Sequence, residues 1–585
     1  MNQALIGSAK IPEAESQIPP TSTADLDQAL QDLQANAAAW IDVSLDERIA
    51  LLARLRASTY KTAERWAKAG CAHKKIPLGT PTESEEWLGG PFTTLRNLRL
   101  LERTLREIRE TGAPKLPSTP KTRPDGTVTV EVFPSEKWDP LFYKDMRAEI
   151  WMDASVSEEN LPEHTGMIYR EKAKGNKEEP KVALVLGAGN VSSIGPMDAF
   201  YKLFCEDQVV ALKMNPVNDY LGPFMVEALK ELVDRGWLRV VYGGAVEGKY
   251  LCEHEIVSEI HITGSDKTHD AIVFGTGEEG ARRKAERDPL NTKRITSELG
   301  NVSPVIVVPG PWSQGDLDFQ GQNLASMLTN NAGFNCNATR VIITHEAWQQ
   351  RKDLLDVVRA TFDRTPTRAA YYPGAQDRMS RFVGAHPNAE AHGDTKEGHL
   401  PWTLIPDLDP STEDEICFST ESWCSVFGEV ALSAESTVEY IEKAVDFCNN
   451  RVWGTLNVAL VVHPKTMKDP AVAAAVDAAI SKLNYGSVAI NHWPAVVYGL
   501  VTTTWGGAPG HTIYDVGSGI GVVHNTYLFD RPAKAVLRGP FRMSPKPPWF
   551  CTAKNSHNLA KKLTAFEAEP SWFKVPGIAA QALKG

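Results

Sequence analysis

The apolar positions of the first 110 residues recur at helical spacing. Ser44, with Glu47 three residues later, forms a capping box, and the apolar residues over 49–55 predict a first long helix. A second apolar stripe predicts a helix over residues 85–109, with Gly112 as its C-terminal stop. This part of the chain is therefore predicted to be helical.

From Lys181 onward, short apolar runs alternate with helix-length segments. The runs are KVALVL, QVVALKM, WLRVVYG, VSEIHITG and SPVIVVPG. Strands that are apolar throughout and alternate with helices indicate a parallel sheet covered on both faces. A second group, RVIITH, FGEVAL, LNVALVVHP and GSVAIN, indicates another lobe of the same kind. We therefore predict an α/β fold with two lobes, each built on a mostly parallel sheet, and a cleft between them.

Two further stretches have patterns of their own. The alternating run TVTVEVF follows a Pro-rich connector and predicts strands that are able to leave the main body as an arm. After residue 530 the chain carries many Pro and aromatic residues, as in FRMSPKPPWF, which predicts a wrapping tail.

Composition narrows the class of protein. Of 585 residues, 42% are hydrophobic and 23% are charged, as in ordinary soluble multidomain proteins. The formal net charge of −11 offers no basic surface, so we expect no nucleic-acid partner. No apolar run approaches the ~18 residues of a membrane span, and the N-terminus lacks the pattern of a secretion signal. We therefore expect a cytoplasmic protein.

The eight cysteines are too few for a disulfide scaffold, and no Cys-x-x-Cys or Cys/His pair has the spacing of a zinc site. We expect free thiols in a reducing compartment and no metal. A free cysteine is usually a small buried apolar residue, so a nucleophilic one has to be recognised by its context.

The first strand-to-helix turn, LGAGNVSSIG, has Gly187 and Gly189 but Ser192 at the third glycine position of the dinucleotide fingerprint. The next strand ends at Lys213, where that fingerprint has an acidic residue for the ribose. A tight turn explains the glycines equally well. Either this turn does not bind a dinucleotide, or it binds one through residues other than those of the fingerprint.

Three later motifs follow in a fixed order. A strand ends in Thr-Gly-Ser at Ser265, SELGNVSP contains Glu298, and NAGFNCNATR contains Cys336. With these motifs the chain resembles the aldehyde dehydrogenase superfamily, which has Thr-Gly-Ser, then Glu-Leu-Gly-Gly-x-x-Pro, then Gly-x-x-Cys with an Arg just beyond. ESWCSV, from Glu421, lines up with the family's Glu-x-Phe-Gly-Pro-Val, and the resemblance covers residues 45–525.

The sequence departs from the family pattern at several motif positions. Ala188 and Gly189 replace the Pro-Trp before the family's Asn, Asn301 replaces the second Gly after Glu298, and Cys424 follows Trp423 in place of Gly. Three residues after Lys213, Pro216 stands where many NAD-preferring members have a Glu. The resemblance therefore implies NAD or NADP as the cofactor without choosing between them.

The resemblance implies catalytic roles for three residues. Cys336 would be the nucleophile, because a thiolate adds to an aldehyde to give a thiohemiacetal that can expel hydride. Asn190 and the Cys336 backbone N–H would donate to the oxyanion. Glu298 would be the general base that activates water to cleave the thioester. The residues implied in cofactor binding are Lys213, Glu421, Gly264, Ser265, Gly189 and Leu299.

The resemblance also divides the chain and implies its partners. We predict an N-terminal helical part of the cofactor domain (1–125), a strand arm for oligomerisation (126–178), a Rossmann-like NAD(P)-binding core (179–296), a catalytic domain (297–497) and a C-terminal oligomerisation segment and tail (498–585). The implied partners are a small-molecule aldehyde and a second copy of the chain, in a homodimer or homotetramer.

Three alternatives to aldehyde oxidation by water stay open. The same Cys336 would serve a CoA-acylating aldehyde dehydrogenase or an acyl reductase. Glu298 favours release of the free acid, because acylating relatives usually lack this base. A non-catalytic binding or structural protein on a dehydrogenase scaffold is the alternative from another class.

Overall fold

A computed structural model describes residues 7–394 and 396–585. The stretch 1–6, part of the N-terminus for which we expect no secretion signal, lies outside the described residues. The polypeptide forms two sheets surrounded by helices, which confirms the predicted α/β class. Every helix within the described ranges is too short or too polar to span a lipid bilayer.

The smaller sheet, called the small sheet below, has six strands. In spatial order they are Gly519–Ile520, Arg294–Leu299, Val257–Gly264, Val182–Leu186, Val209–Lys213 and Leu238–Val241. All neighbouring strands are parallel except the first pair. Four of the five apolar runs predicted after Lys181 form strands of this sheet, and their side chains pack with the N-terminal helices in one core.

The other sheet, called the large sheet below, has eleven strands. In spatial order they are Glu390–His392, Trp402–Leu408, Val426–Leu432, Thr339–His345, Ser303–Val307, Asn457–Val461, Ser487–Ile490, Pro532–Arg538, Arg147–Met152, Val128–Phe133 and Lys121–Thr122. The pattern of SPVIVVPG groups it with the earlier strands, but Ser303–Val307 lies in this sheet. Two short pairs stand apart, Gly7–Ser8 with Thr420–Glu421 and Arg368–Ala369 with His399–Leu400.

The predicted arm strands do not leave the main body. Arg147–Met152 pairs antiparallel with Pro532–Arg538 of the same chain, and that strand continues the large sheet beside Ser487–Ile490. The buried side of Val128–Phe133 packs in the same apolar cluster as Ala535 and Leu537. The run 532–538, which we predicted as tail, is therefore an interior strand of the sheet.

The α-helices bury one face on the sheets or on each other. They are Thr23–Ile41, Leu45–His73, Ser84–Trp87, Thr93–Thr111, Asp139–Phe142, Met167–Ala173, Ile194–Phe200, Gly222–Ala228, Lys230–Asp234, Ala245–Glu253, Asp266–Phe274, Gly277–Glu286, Gln314–Thr329, Arg351–Arg364, Ala375–Ala385, Ile416–Ser419, Thr437–Arg451, Pro470–Lys482, Ala495–Leu500, Ser556–Ala568 and Val575–Ala582.

Ser44 caps the first predicted helix as expected, because its Oγ accepts the Glu47 N–H at 3.2 Å. The helix predicted over 85–109 is interrupted. Gly90 has φ −126° and ψ −106°, which are not helical, and Pro91 has no N–H to donate. The chain resumes a regular helix at Thr93 and ends it at Gly112, as predicted.

The C-terminal segment, residues 539–585, is fixed to the N-terminal helices. The Glu567 carboxylate is buried and accepts from Arg96 Nη1 at 2.9 Å and from Arg99 Nε at 2.7 Å. Burial alone would raise the pKa of Glu567, but the guanidinium groups of Arg99 and Arg96 lower it below its usual value. This buried ion-pair cluster anchors helix Ser556–Ala568 as part of the folded body.

Candidate active site

Cys336 lies in a tight loop, the cysteine loop (residues 330–337), between a helix and a strand of the large sheet. Asn331 and Ala332 have left-handed φ values of 51° and 56°, and Gly333 has a φ of 83°. A Cβ on Gly333 would lie 2.8 Å from the Cys424 carbonyl oxygen, so glycine is required there. Backbone in this region is strained and persists only where its surroundings hold it.

Arg340 supplies part of that support. Its buried guanidinium donates to the Gly333 carbonyl at 2.5 Å and to the Cys424 carbonyl at 2.6 Å. The cysteine loop and the segment after Glu421 are therefore tied together by one side chain. This is the Arg just beyond Cys336 in the sequence motif.

A second network holds the carbonyl of Cys336 itself. Ser303 Oγ lies 3.1 Å from it, with one hydrogen to share between this carbonyl and Asn301 Oδ1, and Asn457 Nδ2 donates to it at 3.3 Å. Asn301 Oδ1 accepts from the same two groups, at 2.8 Å and 3.1 Å. Asn301, which replaces a glycine of the family pattern, thus joins the base segment to the cysteine loop.

Glu298 and Cys336 are brought together by the fold. Glu298 lies in strand Arg294–Leu299, and its carboxyl group is within hydrogen-bonding reach of the Cys336 thiol. Its Oε1 accepts from Trp505 Nε1 at 2.9 Å. Burial raises the pKa of Glu298 to about 8. Burial, together with the neighbouring Glu298 carboxyl, raises the pKa of Cys336 well above its ordinary value, so the thiol is protonated at neutral pH.

Asn190 lies against the cysteine loop. Its Nδ2 donates to the Phe334 carbonyl at 3.0 Å, which leaves the second hydrogen of the amide for another acceptor. Its backbone carbonyl accepts from Lys74 Nζ at 2.9 Å. Lys74 is buried and also pairs with Glu86 at 2.7 Å. No sequence motif pointed to Lys74 or Glu86, because they meet the loop only through tertiary contacts.

Lys213 and Glu421 face the cleft from opposite lobes. Lys213 is buried at the end of its strand, its Nζ donates to the Met214 carbonyl at a long 3.4 Å, and burial lowers its pKa. Burial raises the pKa of Glu421 to about 8, and among the described residues its Oε1 has no hydrogen-bond partner. A Cβ on Gly300 would lie 2.1 Å from Glu421 Oε2, so a larger residue there would displace this carboxyl.

The other predicted cofactor residues lie at strand ends and turns. Gly264 ends its strand, and Ser265 caps helix Asp266–Phe274 by accepting the Thr268 N–H at 3.1 Å. Gly189 lies in the turn after strand Val182–Leu186. Leu299 is fully buried, and its backbone N–H donates to the Ser518 carbonyl at 2.9 Å.

An N-terminal segment, residues 7–18, crosses the cleft at these positions. Gly7–Ser8 pairs with Thr420–Glu421, and the Ser8 N–H donates to Asp266 Oδ1 at 3.1 Å. Glu13 Oε1 accepts the Ala245 N–H at 2.7 Å. The segment therefore contacts both lobes beside the residues predicted to bind the cofactor. No pattern of residues predicts this placement.

The residues of the cleft fit a dinucleotide in three respects. Lys213 is a buried cation with no ion pair in the described part of the chain, and Glu421 has a buried oxygen without a partner. The capped N-terminus of helix Asp266–Phe274 suits a pyrophosphate. A nicotinamide dinucleotide at these groups would have to displace the N-terminal segment.

A cavity of about 540 Å³ opens onto the cysteine loop, where Asn335, Cys336 and Asn337 line it. It gives the thiol access to a small molecule. Trp505 lies in the glycine-rich segment WGGAPGH, and no motif named above predicts the contact of its indole with Glu298. The site thus combines a thiol, a base, an amide donor and a cavity.

Comparison with known families agrees with this geometry. A family model described as the aldehyde dehydrogenase family matches residues 204–367. The match contains Lys213, Glu298 and Cys336, whereas Asn190 and Glu421 lie outside it.

Curated relatives match shorter parts of the chain. The chain is 30% identical over 160 residues to 4-trimethylaminobutyraldehyde dehydrogenase A of Danio rerio, which is 27% of this chain and 28% of that protein. It is 29% identical over 278 residues to 4-trimethylaminobutyraldehyde dehydrogenase of Oryzias latipes, which is 43% of this chain and 49% of that protein. The chain thus spans less than half the length of each relative that it matches here.

Solved structures cover nearly the whole chain. Aldehyde dehydrogenase 21 of Physcomitrella patens, in complex with the reaction product succinate, aligns with a TM-score of 0.60 at 14% identity over 90% of this chain and 94% of that one. A mutant aldehyde dehydrogenase C of Pseudomonas syringae, with NAD+ and octanal, aligns with a TM-score of 0.58 at 14% identity over 93% and 95%. These likenesses show the fold. The ordered motifs, the partial family match and the curated relatives all point to the aldehyde dehydrogenase superfamily.

Proposed function

We propose that the protein oxidises an aldehyde to a carboxylic acid with NAD or NADP. The contact between the Cys336 thiol and the Glu298 carboxyl group, at the edge of a cavity, carries this proposal. A nucleophile beside its base is the arrangement that covalent aldehyde oxidation requires.

The chain's own groups supply the steps around the thiol. The Glu298 carboxylate takes the thiol proton, and the sulfur of Cys336 adds to the aldehyde carbon. The Asn190 amide and the Cys336 backbone N–H donate to the oxyanion, and each such donor lowers the barrier by about 3 kcal/mol. A bound nicotinamide, held by Lys213 and Glu421, would supply the hydride acceptor.

The second half of the reaction regenerates the thiol. Glu298 first releases its proton to solvent and then takes a proton from water, which attacks the thioester carbon. The tetrahedral intermediate collapses, the carbon–sulfur bond breaks, and the acid leaves while the sulfur is reprotonated. Burial suits Glu298 to this role, because a general base works best with a pKa near the working pH.

A coupled assay tests the proposed reaction. Purified protein with NAD or NADP and a panel of aldehydes is expected to form one equivalent of acid per NAD(P)H without added CoA. Strict dependence on CoA would assign the chain to the acylating alternative. No reduced cofactor with any aldehyde, with or without CoA, would contradict oxidation altogether.

The N-terminal segment makes a prediction about cofactor affinity. Glu13→Ala removes the carboxylate that accepts the Ala245 N–H, so the segment should leave the cleft more readily. Loss of this bond is expected to lower the KM for the cofactor about 3- to 10-fold, since a larger fraction of the protein then has the cofactor site free of the segment. Steady-state kinetics at saturating aldehyde measures it.

Glu15→Ala is the matched control, because Glu15 is an exposed carboxylate in the same segment. Its KM should equal that of the unmodified protein. If Glu13→Ala also leaves the KM unchanged, the segment does not compete with the cofactor.

We further propose a cytoplasmic enzyme that assembles as a homodimer or homotetramer. The eight free cysteines support a reducing compartment. The family resemblance supports assembly. Because the strands of 126–178 pair with Pro532–Arg538 of their own chain, surfaces other than these strand edges would join the copies.

A further inference from the structure

The cavity at Cys336 extends far beyond the cysteine loop. Its wall includes Phe92 of the N-terminal helices, Val496 near the end of the catalytic region, and Leu559 and Ile578 of the C-terminal segment. Leu583, which is 77% exposed, lies at the same wall. The cavity is therefore a channel between the thiol and the surface, and the C-terminal segment forms one side of it.

Four of the five charged groups that reach the channel already have protein partners, and three of them, Lys74, Glu85 and Glu86, are in ion pairs. Lys74 pairs with Glu86 at 2.7 Å, and Glu85 pairs with Arg368 at 2.9 Å. Lys546 Nζ donates to Gln322 Oε1 at 3.0 Å and to Thr552 Oγ1 at 2.9 Å. The remaining charged residue of the described wall is Lys144, which is exposed.

This distribution of groups discriminates between substrates. A charged group deep in the channel would lose its water, and the one inner cation of the described wall without an ion pair, Lys546, already donates to two neutral oxygens, so burial of the charge is unfavourable. An alkyl chain has no such hydration to lose. It is stabilised by contact with apolar side chains such as Phe92, Leu559 and Ile578. The wall therefore favours an uncharged, apolar tail behind the aldehyde group.

The C-terminal side of the channel is a fixed wall. Besides the contacts of Glu567 with Arg96 and Arg99, Lys561 pairs with Glu83 at 2.7 Å, and Ser556 Oγ donates to the Pro81 carbonyl at 2.9 Å. Helix Ser556–Ala568 is thus bound to the N-terminal helices along its length, and its residues Leu559 and Leu563 line the cavity.

We propose that the substrates are unbranched apolar aldehydes of medium or long chain length. The carbonyl carbon lies at Cys336, and the alkyl chain extends along the wall that the C-terminal segment provides. This inference rests on the proposed function and assigns a role to residues 539–585 within it.

A series of n-alkanals from propanal to decanal tests the substrate class. With the unmodified protein, kcat/KM is expected to rise about fourfold per added methylene until the channel is filled. Succinic semialdehyde and 4-trimethylaminobutyraldehyde, which carry opposite charges, are expected at least about tenfold below octanal. A flat or falling series with turnover retained overturns the substrate class alone, whereas no turnover with any aldehyde overturns the proposed function.

A pair of tryptophan variants tests the part played by the C-terminal segment. Ala579 and its neighbour Ala580 are both exposed. Ala579 lines the channel, whereas Ala580 lies outside its wall. Ala579→Trp is expected to lower kcat/KM for decanal about tenfold or more, because a bulky ring obstructs the far end of the chain, and to leave propanal within about twofold.

Ala580→Trp, the control, is expected to leave both substrates unchanged. If Ala579→Trp affects propanal and decanal equally, or neither of them, the C-terminal segment is not part of the channel. A thermal melt of both variants checks the fold, and the alkanal series on the unmodified protein decides the substrate class if either variant is unstable.

Discussion

Replacing Cys336 with serine is expected to lower kcat/KM for every aldehyde by about 10⁴-fold or more, the order seen when a covalent nucleophile is removed. A serine hydroxyl occupies nearly the same volume, but it is far less acidic than a thiol and a weaker nucleophile. The loop contacts use the Cys336 carbonyl and not its sulfur, so the fold should be retained. Initial rates of NAD(P)H formation measure the effect.

Cys551→Ser provides the matched control. Cys551 is a half-buried free cysteine of the C-terminal segment, and its sulfur accepts from Ser326 Oγ at 3.4 Å. This variant should keep the activity of the unmodified protein.

Mass spectrometry of acid-quenched protein should find the acyl adduct on the peptide that contains Cys336. An active Cys336→Ser variant, or an adduct on another cysteine, would refute the assignment.

Glu298→Gln is expected to slow deacylation about 10²- to 10⁴-fold, because it removes a general base and keeps the shape of the side chain. The amide oxygen still accepts from Trp505 Nε1, so the local structure is preserved. A burst of about one equivalent of NAD(P)H per site, followed by a slow steady state, is the expected signature of an accumulating thioester. Stopped-flow absorbance resolves the two phases.

The same residue predicts a pH dependence. Burial raises the pKa of Glu298 to about 8, so the carboxylate fraction increases as the pH rises through that value. Where deacylation limits turnover, kcat should rise about tenfold between pH 7 and pH 9 and then level off. The Glu298→Gln variant should not show this increase of kcat with pH.

Glu149→Gln is the control for both measurements. Glu149 also accepts from an indole, Trp151 Nε1 at 3.1 Å, but it lies on an arm strand. Its kinetics and pH profile should match those of the unmodified protein. If Glu298→Gln shows neither a burst nor a slower steady state, another group activates the water.

Local pattern predicted the strands well. The run VSEIHITG is buried at six of its eight positions, which agrees with its prediction as an interior strand. The motif order also identified Glu298 and Cys336, which the structure brings into contact. Their roles remain predictions until the kinetics are measured.

Features that depend on contacts between residues far apart in the chain could not be predicted from the sequence. The strand Pro532–Arg538 has a mixed pattern, and its place beside Arg147–Met152 is set by a partner almost 400 residues away. The indole of Trp505 contacts Glu298 across 207 residues of sequence, a separation at which local pattern carries no information. The predicted helix over 85–109 failed at Gly90, where the Gly-Gly-Pro run breaks helical geometry despite the continuing apolar stripe.

The pairing of the arm strands within their own chain affects how readily the protein aggregates. Because Arg147–Met152 and Val128–Phe133 are paired inside the large sheet, the strand left at that rim is Lys121–Thr122, which has two residues. The opposite rim is Glu390–His392, with three. Rims this short expose few free backbone groups, so an eleven-stranded sheet offers neighbouring molecules little template for edge-to-edge growth into aggregates.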